Sequence, residues 1–299
     1  MNEPNIVILA GGISSRMKKS AAAAKAIESS LVMDAAQKSK SMIGVGSDHR
    51  PFLDYVLFNI QESGYHEVVL LIGESDDSVR EYYDSIRMQK SFPDLELTFV
   101  VQPIPSGRSK PLGTADAVMR SLEAMPQWKG SQFTVCNSDN LYTMHGLRLL
   151  LESSHPNSTI AYDRDALGFG PERIAQFGLM KIDREDYLVD ILEKPTAGEL
   201  AHAGISGIPA VSMNLFRFSV NDILPFVREA PLHPIRLEKE LPVAVRAMVR
   251  QNPRSMKTFR LAELVPDLTT VEDIPAVQDY LRKHFSQNDF PDSSSHGTN

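Results

Sequence analysis

The stretch Asn5-Ile6-Val7-Ile8-Leu9-Ala10-Gly11-Gly12-Ile13-Ser14-Ser15-Arg16-Met17 passes from an unbroken apolar run into a double glycine and then an arginine. A short apolar run without polar alternation predicts a strand buried on both faces. The glycines predict a tight turn at its end. Strand ends of this kind are where open α/β sheets bind ligands. Glycine lets the backbone approach a phosphate and aim its N–H groups at it, and Arg16 adds a permanent forked charge suited to phosphate oxygens. The glycine spacing matches neither the dinucleotide fingerprint nor a Walker loop. Taken alone, the stretch remains open to reading as an ordinary glycine turn.

Working outward, apolar and amphipathic segments alternate. Ser20 to Lys38 is alanine-rich and predicts a helix, and Pro51 to Gln61 carries a helical stripe of Phe52, Leu53, Val56, Leu57 and Ile60 behind a first-turn proline. Strands are expected at Glu67 to Ile72, Leu95 to Val101, Gln132 to Cys136 and Thr159 to Tyr162. Helices are expected at Asp76 to Met88, Thr114 to Ala124 and Met144 to Glu152. This order implies an α/β fold: a single Rossmann-like domain with a mixed, mostly parallel central sheet flanked by helices. Past Tyr162 the pattern changes. A hairpin is expected from Phe177 to Ile182 and Tyr187 to Leu192, one strand over Ala210 to Phe218, and helices at Val220 to Arg228, Glu238 to Arg250 and Val271 to His284. The domain is expected to occupy residues 1–285, with the polar segment 286–299 a disordered tail.

A chain of 299 residues can bury a sizeable core without staples. Its single Cys136 has no partner for an internal disulfide and sits in an apolar run, so an inert core thiol is expected. The net charge of −7 argues against a nucleic-acid-binding surface, but a few focused cations can still bind phosphate. No apolar run approaches the roughly 18 residues a bilayer span needs, and Met1 to Asn5 has no basic region ahead of its apolar stretch. No membrane association and a cytoplasmic location are therefore expected.

A second element is Lys40-Ser41-Met42-Ile43-Gly44-Val45, a lysine entering a short apolar strand, followed by Arg50-Pro51-Phe52-Leu53-Asp54-Tyr55. Together with Gly11-Gly12 and Arg16 this resembles the opening of the sugar-1-phosphate nucleotidylyltransferases, a family that includes glucose-1-phosphate thymidylyltransferases and mannose-1-phosphate guanylyltransferases. Further segments resemble the family in the same order. Leu112-Gly113-Thr114-Ala115-Asp116 is similar to its glycine-threonine turn beside the base, and Gln102 to the glutamine that hydrogen-bonds the base edge. Cys136-Asn137-Ser138-Asp139-Asn140 resembles its metal-binding aspartate segment, and Glu193-Lys194-Pro195 the motif whose lysine holds the sugar phosphate. Gly178 and Asn214 fall at sugar-pocket positions, the family usually having a small residue at the latter, and Asp267-Leu268-Thr269-Thr270-Val271-Glu272-Asp273 resembles the second aspartate segment. The likeness covers roughly residues 5 to 284.

The resemblance implies transfer of a nucleotidyl group from a nucleoside triphosphate to a sugar 1-phosphate, with Mg²⁺ as cofactor. Arg16, Lys40 and Lys194 would be catalytic. Leu9, Ala10, Gly11, Gly12, Arg16, Gln102, Gly113 and Thr114 would hold the nucleotide. Asn140, Gly178, Glu193, Lys194 and Asn214 would hold the sugar phosphate, and Asp139 and Asp267 the metal. Homo-oligomerisation is a family habit. In-line displacement at phosphorus chiefly needs positioned anions and offset charge. A sugar phosphate, with a second pKa near 6, is largely a ready nucleophile at neutral pH. None of the eight histidines falls in a motif, which suits a reaction without a base.

Two enlargements depart from the family: residues 20–38, which leave Lys38 as an alternative to Lys40, and residues 103–112, carrying Arg108 and Lys110. Non-sugar alcohol phosphates as acceptors, and a catalytically silent nucleotide-sugar-binding subunit, are the rival readings; the second would be expected to lack one of the charged site residues. Asp139 and Asp267 also fit helix caps or turn-formers.

Overall fold

The computed structural model describes residues 3–22, 27–85, 91–193, 210–286 and 289–290. Its first strand, β1 (Asn5–Leu9), lies between β2 (Glu67–Gly73) and β4 (Gln132–Asn137), with β3 (Glu96–Gln102) outside β2, all parallel. Ile6 and Ile8 enter one core and Val7 the other, all fully buried, so both faces of β1 are covered and its sequence has no polar alternation.

Among the described residues, the sheet continues through β5 (Ser158–Asp163), β6 (Gly178–Ile182), β7 (Leu188–Leu192), β8 (Ala210–Ser212) and β9 (Phe216–Ser219) in the order β3-β2-β1-β4-β9-β5-β8-β6-β7. A further strand, β10 (Lys257–Leu261), pairs in parallel with β5. The strands β7, β8 and β9 run against the rest. The result is a mixed sheet whose β1–β4 half is parallel.

Helices cover both faces. α1 (Ser15–Ala21), α2 (Ser29–Gln37), α3 (Phe52–Glu62), α4 (Asp77–Asp84), α6 (Met144–Leu151), α7 (Pro171–Ile174) and α10 (Ile274–His284) carry buried residues of the core that holds Ile6. α5 (Thr114–Ala124), α8 (Val220–Glu229) and α9 (Leu241–Gln251) close the core that holds Val7. No helix among the described residues is long and apolar enough to cross a membrane.

Three expectations from the sequence change. The single helix over 20–38 is two helices that pack against each other, α1 burying Met17 and Ala21 and α2 burying Leu31 and Ala35; one straight helix cannot fold back on itself in this way. Lys40 opens a 3₁₀ turn, Lys40–Met42, rather than a strand. The strand over 210–218 breaks at Met213 to Leu215, where Asn214 has φ 57°, so β9 pairs with β4 and β5 while β8 pairs with β5 and β6. Phe290 is buried against Tyr55, with ring centroids 5.0 Å apart, and lies under the Arg50 guanidinium at 4.2 Å.

Candidate active site

The parallel strands deliver their C-terminal ends to one cleft of about 570 Å³. Leu9, Ala10, Gly11 and Gly12 follow β1, Gln102 ends β3, and Asn137 to Asn140 continue β4, all lining the cleft. Gly11 packs so tightly on β2 that an added Cβ would lie 3.2 Å from Leu71, whereas Gly12 faces open space. Arg16, in the first turn of α1, lines the same cleft and is exposed.

Ser14 turns the chain in the left-handed region, φ 53°, and its hydroxyl accepts a 3.1 Å hydrogen bond from the backbone N–H of Lys40. The inserted helices thus leave and return at the glycine turn, carrying Lys40 to the cleft, where its Nζ forms an ion pair with Asp139 Oδ2. Lys38 points elsewhere. Its Nζ pairs with Asp34 at 2.8 Å and its side chain is 48% exposed.

Asp139 and Asp267 come together through backbone. Asn140 and Asp267 form an antiparallel bridge, and the Leu268 N–H donates to the Asp139 carbonyl at 2.8 Å. Asp267 sits in the loop between β10 and α10. Its Oδ1 accepts from the Thr269 hydroxyl at 2.6 Å, and its Oδ2 lies 3.1 Å from Arg173, which also pairs with Asp273. Burial, then the Asp139 carboxylate, pushes the Asp267 carboxyl above its ordinary range against the pull of Arg173, Thr269 and Lys40. Arg173 was not singled out in the sequence: it lies in a short helix 94 residues from Asp267, and no local pattern links them.

At one end of the cleft Gln102 is fixed as an acceptor. Its Nε2 donates to the Gly113 carbonyl and to Asp116 Oδ2, both at 2.9 Å, so Oε1 is the atom left beside Gly11. Asp116 is itself held by Arg120 at 3.0 Å. Gly113 has φ 100°, and a Cβ there would meet the Lys239 carbonyl at 2.6 Å, so only glycine fits. Thr114 also lines the cleft, and its hydroxyl accepts from the Leu241 N–H at 2.9 Å.

Asn140 follows Asp139 along the cleft wall, and Glu193 and Asn214 line it toward the β7 side of the sheet, opposite β3. Asn140 is buried and its Oδ1 accepts from Asn137 Nδ2 at 3.1 Å. Gly178 is not part of the cleft wall. It backs Glu193, whose Oε1 lies 2.9 Å from where a Gly178 Cβ would stand. Lys194 lies outside the described residues. The assembled surface can hold an extended polyanion: open glycine backbone and cations at the centre, an acceptor for a planar N–H group at one end, and amide and carboxylate groups for hydroxyls at the other.

Comparison with known proteins is consistent across sequence and structure. Residues 35–257 match the family model described as nucleotidyl transferase. The chain is 24% identical over 251 residues to the bifunctional protein GlmU of Staphylococcus haemolyticus (strain JCSC1435), covering 83% of this chain and 46% of that protein. It is also 24% identical over 196 residues to the glucose-1-phosphate adenylyltransferase of Pectobacterium carotovorum subsp. carotovorum (strain PC1), covering 63% and 41%. The chain spans less than half the length of these curated relatives. A crystal structure of UDP-glucose pyrophosphorylase complexed with UDP-glucose aligns over 95% of this chain and 99% of that one, with a TM-score of 0.69 at 14% identity, a likeness of fold.

Proposed function

The chain belongs to the nucleotidyl transferase family, and from that membership we propose that it joins a nucleoside triphosphate to a sugar 1-phosphate. An acceptor phosphate oxygen forms a bond to the α-phosphorus, the bond from that phosphorus to the bridging β-oxygen breaks, and pyrophosphate leaves with the electron pair. The observation that carries this reading is the meeting of Asp139, Asp267 and Lys40 beside the Gly11-Gly12 turn, in a cleft long enough to be lined by Gln102 at one end and Glu193 at the other.

The residues fit Mg²⁺. Two hard carboxylates lie on adjacent backbones, and no cluster of three or more His, Cys, Asp or Glu suited to a metal occurs among the described residues. Few protein ligands suit an ion that keeps water and phosphate oxygens. Bound by Asp139 and Asp267, Mg²⁺ would neutralise charge on the α-phosphate. Arg16 and Lys40 offset the charge of the triphosphate, Lys40 exchanging its contact with Asp139 for phosphate oxygens. Gln102 Oε1 accepts from an N–H of the base, with Gly113 and Thr114 beside it. Lys194 holds the sugar phosphate, as the resemblance of Glu193-Lys194-Pro195 implies, and Asn140, Glu193 and Asn214 face the sugar, with Gly178 leaving room for Glu193. Because the acceptor is already ionised, no residue needs to remove a proton.

The test is an activity matrix of nucleoside triphosphates against sugar 1-phosphates and non-sugar alcohol phosphates, read as Mg²⁺-dependent pyrophosphate release. At least one sugar 1-phosphate is expected to serve, and Asp139→Asn to lose at least about 10²-fold in turnover with its melting transition retained. Turnover with alcohol phosphates alone, or none with any pair, overturns the reading.

A further inference from the structure

Beyond Gly113 the cleft has a second wall that no motif announced. The segment following α8 folds into a compact loop, bridged from Leu232 to Lys239 and braced by His233, whose Nδ1 accepts from the Ile235 and Arg236 N–H groups at 3.2 and 3.1 Å. This loop is fastened to the enlarged 103–112 connection. Arg108 donates to the Leu237 carbonyl, the Lys239 N–H to the Leu112 carbonyl, and Lys110 lies 3.9 Å from Glu238. It is also fastened to α5, through the Ala115 N–H on the Lys239 carbonyl at 2.9 Å.

Arg236 lines the cleft from this loop. Its guanidinium is held by Glu240, 2.5 Å away, a carboxylate only 11% exposed that immediately precedes α9, while Arg236 itself remains 32% exposed. A buried carboxylate holding a half-free guanidinium fixes its direction while leaving other N–H donors unused. The contacts join this pair to Gln102 through Lys239 and Gly113, which places it on the Gln102 side of the cleft.

We propose that Arg236 is a specificity-determining contact to the nucleoside part of the substrate, donating to base or ribose oxygens or stacking on the base, and that Glu240 is its positioning residue. This rests on the function proposed above and deepens it. The nucleotide end is walled by the 103–112 connection and the loop after α8, clasped to each other, and the cation they present meets the nucleoside rather than the phosphates.

The experiment is equilibrium binding to the full chain by calorimetry, using the triphosphate favoured in the activity matrix, the monophosphate of the same nucleoside, and inorganic tripolyphosphate. Arg236→Ala is expected to weaken the triphosphate and the monophosphate by about tenfold or more and to leave tripolyphosphate unchanged. Arg236→Lys should recover part of the loss, and Glu240→Gln should weaken the same two ligands less than Arg236→Ala does. Ile235→Ala, at an exposed neighbour outside the cleft wall, should change none of them. Unchanged nucleotide binding in Arg236→Ala overturns the proposal, as does an equal loss for tripolyphosphate, which would make Arg236 a phosphate ligand. Failure of the wild-type chain to bind any nucleotide overturns the underlying function as well, so the two failures are distinct.

Discussion

Lys40 Nζ meets Asp139 Oδ2 in an ion pair between residues ninety-nine positions apart, with side chains 21% and 13% exposed. The pair joins the inserted helices to the end of β4 and holds a cation directly beside the glycine turn. A partly buried pair of this kind is less screened than one on the surface. It also leaves Lys40 ready to trade one anion for another.

Replacing Lys40 by Met is therefore expected to lower kcat/KM for pyrophosphate release by about 10² or more, since a cation aimed at a reacting phosphate acts in a shielded site. Lys38→Met should stay within about twofold of wild type, because Lys38 pairs with Asp34 outside the cleft. Equal losses in the two variants would remove Lys40 from its special place.

Asp116→Ala should raise the KM for the nucleoside triphosphate by about tenfold while leaving the KM for the acceptor unchanged. Without Asp116 the Gln102 amide loses one of the two acceptors that keep its oxygen turned to the cleft, the charged one, and the cost is that of one charge-assisted hydrogen bond. Steady-state kinetics with each substrate varied in turn would decide it. A change confined to the acceptor KM contradicts the assignment of this end to the base.

A third expectation concerns stability and pH. Asp54 is fully buried in α3, accepting from Tyr83 at 2.8 Å, Tyr82 at 3.0 Å and Arg50 at 2.9 Å. Burial nevertheless outweighs these partners and raises its carboxyl above the ordinary 3.8. For a group raised on folding, the favourable contribution is complete below the unfolded value and is lost as pH climbs through the folded one. Urea unfolding between about pH 4 and 7 should show wild type losing stability relative to Asp54→Asn as pH rises. A relative gain over that window contradicts the burial argument.

Much of the parallel half was legible because each element there carries its own signal. The apolar run of β1 and the stripe of α3 are local patterns, and both are buried on the faces their sequences imply. Most of the cleft wall was legible for a related reason: Gly11, Gln102, Gly113 and Asp139 sit at ends of strands or starts of helices, where side-chain type reports on local chemistry. β10 was not legible. Lys257 to Leu261 has only Phe259 and Leu261 as apolar positions, and it is a strand because β5 offers a parallel edge.

The amino-acid sequence by itself determined the alternation of buried strands and covering helices, the glycine turn after β1, and the identity of the charged groups at the strand ends, because these depend on neighbours along the chain. Only the tertiary structure decided that Lys40 rather than Lys38 faces the cleft, that Arg173 braces Asp267, and that Arg236 and Glu240 stand beyond Gly113. Those relations depend on the direction of side chains brought together from distant segments, which packing, burial and charge pairing fix and local periodicity does not encode.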